Sequence, residues 1–383
     1  MDVYKRIAAG PMGTEIHTID MHTSGEPTRI VVSGYPDLQG RTLLQKRAYA
    51  KDHLDHLRTR GHADMYGALL VQATEMTEAG QADIGVLFMH NEGYSTMCGH
   101  ATIALGRFLV DTQDKLLFPL REHLGYDTEK HETHLRLHAP CGLVRVTVPT
   151  IVQGGRARSD ESRPVTFVSV PSFVSARDVV MNIPEADRWT ALRAKGQTRV
   201  CVDIAYGGAF YAIVEAKELG FEGIVGFGYS LRDMDEAAAT VKRFLATQRA
   251  LVRHPSESDL EYLYGVIITD ENYGHARESV GLCFFADQEV DRSPTGSGVS
   301  ARVALAVATG RLAFGETTVF HSPVSAGGDD GFTGTAVEEV VFADGRRGIS
   351  VSVGGRAWYT GAHVFAGEGG DRRVAGFLLR DCL

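Results

Sequence analysis

Cysteine is scarce here and offers no pairing pattern. The chain of 383 residues has five cysteines, Cys98, Cys141, Cys201, Cys283 and Cys382, an odd number with no CxxC pair. That excludes a disulfide framework and a zinc site of ordinary spacing. Positive charge is also short: 39 Lys and Arg face 48 Asp and Glu, leaving a formal net charge of -9. No basic stripe is therefore available to displace the counterions of a nucleic acid. The apolar runs fall well short of a membrane span, and the N-terminal stretch carries no apolar signal region. A cytoplasmic protein with neither a nucleic-acid nor a membrane partner is expected. No Walker sequence and no dinucleotide glycine fingerprint between a strand and a helix occurs. His131, His134 and His138 have metal-like spacing but no carboxylate cluster beside them, so they read as a solvated loop and strand. His53 and His56 read as surface residues of a charged helix, and the glycines from Gly367 to Arg373 as a turn. No metal and no other cofactor is expected.

What is present is enough chain for two domains, each able to bury a core. After an irregular leader over 1–13, alternation predicts strands over 16–22 and 28–33, joined by Ser24-Gly25-Glu26-Pro27. A surface helix is expected over 41–60, a buried strand over 83–89, and a helix from about Gly99 to Val110. Further strands are expected at 134–138, 143–149, 165–170, 199–205, 263–269 and 280–286, with helices at 233–252 and about 298–309. Cys201 and Cys283 fall inside predicted strands, where cysteine acts as a small hydrophobe. Cys98 differs, because Gly99 and polar or flexible residues flank it.

Two short motifs carry the chemistry: Met97-Cys98-Gly99-His100 and Asp291-Arg292-Ser293-Pro294-Thr295-Gly296-Ser297-Gly298. Each places a thiol or hydroxyl just before a glycine that opens an apolar helix, and each follows a strand and a loop. The repeated order implies a two-fold internal duplication. A helix N-terminus presents unpaired N–H groups and positive potential, so it binds an anion such as a carboxylate and favours a thiolate. The glycine admits close backbone approach to a ligand. Two such ends would grip one carboxylate, with the reactive side chains flanking the adjacent carbon.

A base on each face of that carbon would invert it. With Thr295 on one side the scheme fails, because a threonine hydroxyl is too weak an acid to reprotonate a carbanion and its alkoxide is too rare to be a base. Abstraction by Cys98 survives. The carbanion then exits by expelling a leaving group from the neighbouring carbon, and one acid–base residue suffices when that group shares a ring face with the α-hydrogen.

These residues resemble the proline racemase family, whose members use neither metal nor pyridoxal. The match spans nearly the whole chain: Asp20-Met21-His22-Thr23-Ser24-Gly25-Glu26-Pro27, Gly93 to Gly106, Asp203-Ile204-Ala205-Tyr206-Gly207-Gly208-Ala209-Phe210-Tyr211-Ala212, and Asp291 to Gly298. Racemase and 4-hydroxyproline epimerase members have cysteine at the position of Thr295. The Cys98 and Thr295 combination, with Leu87 to Tyr94, resembles the branch that dehydrates trans-3-hydroxy-L-proline.

The resemblance implies an α/β (α+β) fold of the diaminopimelate epimerase type. It consists of two pseudo-symmetric lobes, each a curved, mostly antiparallel sheet around a central helix, with the site in the cleft. The lobes would be 14–163 with 356–383, carrying Cys98, and 164–355, carrying Thr295. It further implies that Cys98 is the base and that Gly99, His100, Gly296 and Ser297 hold the carboxylate. Asp291 with His100 would receive the ring ammonium, and Thr295 would stand on the opposite face. The resemblance also implies a small imino acid as partner, pyrroline-2-carboxylate as product and a homodimeric assembly. Alternatives are a racemase or epimerase using Thr295 with water, a Cys98/His100 thiol hydrolase, and a non-catalytic amino-acid-binding protein. Tyr94 and Tyr206 are open between pocket lining and packing, and Glu92 between an accessory acid near the leaving hydroxyl and a loop charge.

Overall fold

A computed structural model describes residues 15–54, 64–271, 273–274 and 277–365. The leader, His56, Cys382 and the Gly367–Arg373 stretch lie outside the described residues. The chain falls into two compact units, one of 1–96, 100–165 and 356–383, the other of 97–99 and 166–355.

In the first unit, Ile16–Thr23 and Glu26–Ser33 form a hairpin, and alternating burial fixes its register. Its turn places Ser24 and Gly25 at φ 49° and 86°, the left-handed pair that matches strand twist. Ile16–Thr23 also pairs antiparallel with Ala357–Phe365. Glu26–Ser33 runs parallel to Gly67–Val71, which is antiparallel to Ile84–Met89. Ile84–Met89 runs parallel to Glu132–Ala139, and that strand is antiparallel to Gly142–Gln153. A helix over Gly99–Asp111 is buried over almost its whole length. Gly106 lets it approach the sheet, because a Cβ there would lie 2.8 Å from a Val146 methyl.

The second unit repeats this order of pairings. Phe173–Asn182 is antiparallel to Arg199–Tyr206, which is antiparallel to Phe210–Glu215. Phe210–Glu215 runs parallel to Leu263–Asp270, which is antiparallel to Glu278–Phe285. Glu278–Phe285 runs parallel to Thr317–His321, and that strand is antiparallel to Phe332–Val341. The central helix is Gly296–Ala308. The pairings in both units therefore read antiparallel, antiparallel, parallel, antiparallel, parallel, antiparallel, so the duplication legible in two motifs extends through each unit. Arg347–Gly355 adds a further strand.

Outside this sheet Leu231–Ala246 starts with a Ser230/Asp233 capping box. It buries Met234, Ala237, Ala238, Val241 and Leu245, one apolar stripe of a 3.6-residue period. The helix expected over 233–252 thus ends at Ala246, and Arg249–Val252 is a separate 3-10 turn. The helix expected over 41–60 is Leu43–His53, capped by Thr42 and Gln45. Among the described residues no helix is long and apolar enough to cross a membrane.

Candidate active site

In the first unit, Ile84–Met89 is buried at all six positions and delivers the chain into a tied loop. The His90 N–H donates to the Gly93 carbonyl at 3.0 Å, and its Nδ1 accepts from the N–H groups of Glu92 and Gly93, both at 3.2 Å. Tyr94–Ser95 folds back onto Met89 and Phe88. Arg47 Nε donates to the Tyr94 carbonyl at 2.9 Å, and the Tyr94 and Tyr35 hydroxyls share a 3.0 Å bond. Glu92 faces solvent. The loop delivers a fixed backbone to Cys98, whose thiol is buried.

His100 is buried and stands edge-on to Tyr66 at 4.7 Å between ring centroids. Desolvation pushes its pKa down to about 3, against a hydrogen bond to the Pro27 backbone that raises it. The ring is therefore neutral at working pH. With one N–H given to Pro27, its other nitrogen is an acceptor. The Thr23 hydroxyl donates to the His100 carbonyl at 3.0 Å.

In the second unit, Glu278–Phe285 turns through Ala286 and Gln288, at φ 47° and 55°, into Glu289–Asp291. The Ser293 N–H donates to Asp291 Oδ1 at 2.8 Å, and the Thr295 N–H donates to Ser293 Oγ at 3.2 Å. Burial is the main influence on the Asp291 carboxyl and raises its pKa from 3.8 to about 6, although the Ser293 and Thr295 side chains pull it down. An Asx turn and a carboxylate poised for a cation thus coexist in one residue.

Thr295 precedes the helix with φ 64° and ψ 90°. A β-branched residue in left-handed backbone is strained by roughly 1–3 kcal/mol, a cost tolerated where the surroundings over-determine the conformation. Its hydroxyl faces Asp291 closely enough to act on that carboxyl, yet among the described residues it makes no hydrogen bond of ordinary geometry and is buried. Gly99 and Gly296 abut backbone to backbone within this unit. A Cβ on Gly99 would lie 2.4 Å from Gly296 Cα, and one on Gly296 would lie 2.6 Å from Gly99 Cα. Only glycine at both positions permits that approach.

Cys98, Gly99, Asp291, Thr295, Gly296 and Ser297 thus all belong to the second unit, and His100 to the first. Tyr206 is a packing residue, stacked on Phe173 at 5.1 Å. His138 departs from the solvated reading: it is buried, with Nδ1 2.9 Å from the Thr74 hydroxyl. Burial alternates along its strand as far as Leu137 and then breaks, so that His138 and Ala139 are buried as well. Among the described residues no group of three or more His, Cys, Asp or Glu is placed to hold a metal ion. Sequence reasoning overlooked Tyr211, whose hydroxyl lies 2.7 Å from Ser297 Oγ. Its place in the Gly207-Gly208-Ala209-Phe210-Tyr211 run was the available signal.

Among solved structures that match is that of a hydroxyproline epimerase from Agrobacterium vitis with bound trans-4-hydroxy-L-proline. The match has a TM-score of 0.76 and 23% identity over 96% of each chain. The family profile described as proline racemase matches residues 18–378, and the chain belongs to that family. Among individual relatives, the trans-L-3-hydroxyproline dehydratase of Pongo abelii is 44% identical over 372 residues, covering 95% of both chains. The trans-3-hydroxy-L-proline dehydratase of Homo sapiens is 43% identical over the same length and share.

Proposed function

We propose that this chain is a hydro-lyase that dehydrates trans-3-hydroxy-L-proline to pyrroline-2-carboxylate. The observation that carries the reading is the unequal pair at two equivalent helix starts, a buried thiol at Cys98 and a buried hydroxyl at Thr295. The names of relatives 43% and 44% identical support it.

In this mechanism the helix-end N–H groups at Gly99, His100, Gly296 and Ser297 hold the substrate carboxylate. Asp291, ionised, and the neutral ring of His100 accept the two N–H bonds of the ring ammonium. Cys98 thiolate removes the α-proton, the freed electron pair forms the Cα–Cβ double bond, and the C3–O bond breaks. The trans hydroxyl lies on the face of the α-hydrogen, so the Cys98 thiol returns its proton to the departing oxygen and water leaves. The cyclic enamine then tautomerises to the imine. Thr295 supplies a hydroxyl to the opposite face and cannot reprotonate the carbanion there, which removes inversion. The same reading makes the enzyme cytoplasmic, independent of any metal or organic cofactor, and homodimeric, a state that sedimentation velocity at twice 41.6 kDa would check.

The deciding experiment incubates the purified protein, without additives, with trans-3-hydroxy-L-proline, trans-4-hydroxy-L-proline and L-proline in parallel. Trapping of the imine with an aldehyde reagent and chiral chromatography read the outcome. Imine from the 3-hydroxy substrate alone supports the dehydratase. Inversion of either other substrate without imine would replace it with the epimerase reading.

A further inference from the structure

The pairing order that repeats in the two units puts their residues in correspondence. The first hairpin closes at Thr23 opposite Glu26 in one unit and at Tyr206 opposite Phe210 in the other. Pro27 and Tyr211 are therefore equivalent, each the second residue of the second strand. His100 and Ser297 are equivalent too, each following the glycine that opens a central helix. In the first unit Pro27 is bonded to the His100 ring through its backbone. In the second, Tyr211 meets the Ser297 hydroxyl through its side chain at 2.7 Å.

The turns correspond as well. Thr23 bonds the His100 carbonyl, whereas Gly207 lies against the Ser297 carbonyl so closely that a Cβ would come within 2.1 Å. Gly208, at φ 102°, packs on Met97, the residue before Cys98, where a Cβ would fall 2.8 Å from the Met97 Cβ. One hairpin turn thus touches the flanks of both reactive motifs.

We infer that Tyr211 is a positioning residue that, acting through Ser297, aims the Ser297 hydroxyl at the substrate carboxylate, with the Gly207-Gly208 turn fixing the backbone beneath it. The inference rests on the dehydratase reading for its substrate, but not for the hydrogen bond. The 2.7 Å pair admits either donor; the phenol is the stronger acid, so in the inferred arrangement the Tyr211 O–H donates and Ser297 keeps its own O–H to donate onward. Burial holds the phenol protonated, its pKa raised well above 10 by desolvation first and then by the fields of Cys283, Asp291 and Cys98. A Ser297 hydroxyl so anchored has one free rotor position, and that position serves an anion.

The test is a double-mutant cycle of Tyr211→Phe and Ser297→Ala. It is read by calorimetric Kd for L-proline, which carries the carboxylate but no leaving group, and by KM and kcat for trans-3-hydroxy-L-proline. Each single variant is expected to raise Kd and KM about tenfold while kcat stays within about twofold, the pattern of an interaction equal in ground and transition states. The double variant is expected to bind no worse than Ser297→Ala alone. Unchanged Kd in Tyr211→Phe, or a double variant whose loss is the product of the singles, overturns the inference. Wild-type protein that binds L-proline yet forms no imine would sink the dehydratase reading and leave this cycle intact. Should Tyr211→Phe fail to fold, Ser297→Ala decides: wild-type Kd overturns the inference and a tenfold loss supports it.

Discussion

The helices Gly99–Asp111 and Gly296–Ala308 have 13 residues each, open on glycine and follow equivalent strands, yet they are held differently at the residue before the glycine. Among the described non-glycine residues Thr295 has positive φ, at 64°, and Cys98 does not. One start is a thiol on backbone without a positive φ. The other is a hydroxyl on strained backbone, with an Asx turn of Asp291 and Ser293 leading into it. The two helix starts share their opening glycine, while the residue before it differs. On the proposed mechanism, inversion is withheld at Thr295 by a side chain rather than by architecture.

That comparison can be broken most severely at Cys98. Cys98→Ser is expected to lower kcat by at least about 10³-fold, since it removes the only acid–base group of suitable strength in the scheme, with thermal unfolding unchanged. Dehydration at near wild-type rate would refute the assignment. Gly296→Ala comes next, because its Cβ would fall 2.6 Å from Gly99 Cα. Activity should drop about 10²-fold with a lower melting temperature, through displaced helix ends, whereas an active, stable variant would show that the two starts need not abut.

Asp291→Asn should lower kcat/KM about 10²-fold while raising stability. The folded-state pKa of about 6 lies above the ordinary 3.8, so the contribution of the protonated form is complete below about pH 3.8 and is lost as pH rises through about 6. At pH 7 the buried charge costs about 3 kcal/mol, which asparagine relieves in part. The wild-type kcat/KM should accordingly fall on the acid side with a midpoint near pH 6. A flat profile between pH 5 and 8, or a less stable variant, would contradict this account. The smallest effects are at Thr295. Thr295→Gly should stabilise the fold by about 1 kcal/mol by relieving φ 64°, measured in denaturant. Thr295→Cys should yield a trace of D-proline from L-proline, and chiral chromatography without any D-proline would mean that a second thiol alone does not restore the second face.

Much of this arrangement was legible in the residues. A thiol or hydroxyl before glycine at the start of an apolar helix is a local pattern, so Cys98, Thr295 and both central helices could be placed from sequence. The strands of the hairpin at Ser24 and Gly25 alternate cleanly and were equally readable. Tyr211 was not, because its partner Ser297 lies 86 positions away and no periodicity encodes such a contact. Nor was the neutrality of His100, which comes from burial and prevails over the Pro27 backbone bond that favours the charged ring. The strands Thr317–His321, Phe332–Val341 and Arg347–Gly355 escaped for a different reason. Their burial alternates only in part, and several outer positions carry charge or glycine.

The abutment of Gly99 and Gly296 carries a consequence for temperature. A contact made by side chains has rotamers to populate, and its mean separation loosens as they do. Here backbone meets backbone with no side chain between, so the contact of these two glycines has no rotamer to populate. Warming should therefore leave this contact intact until the unit that holds both glycines unfolds.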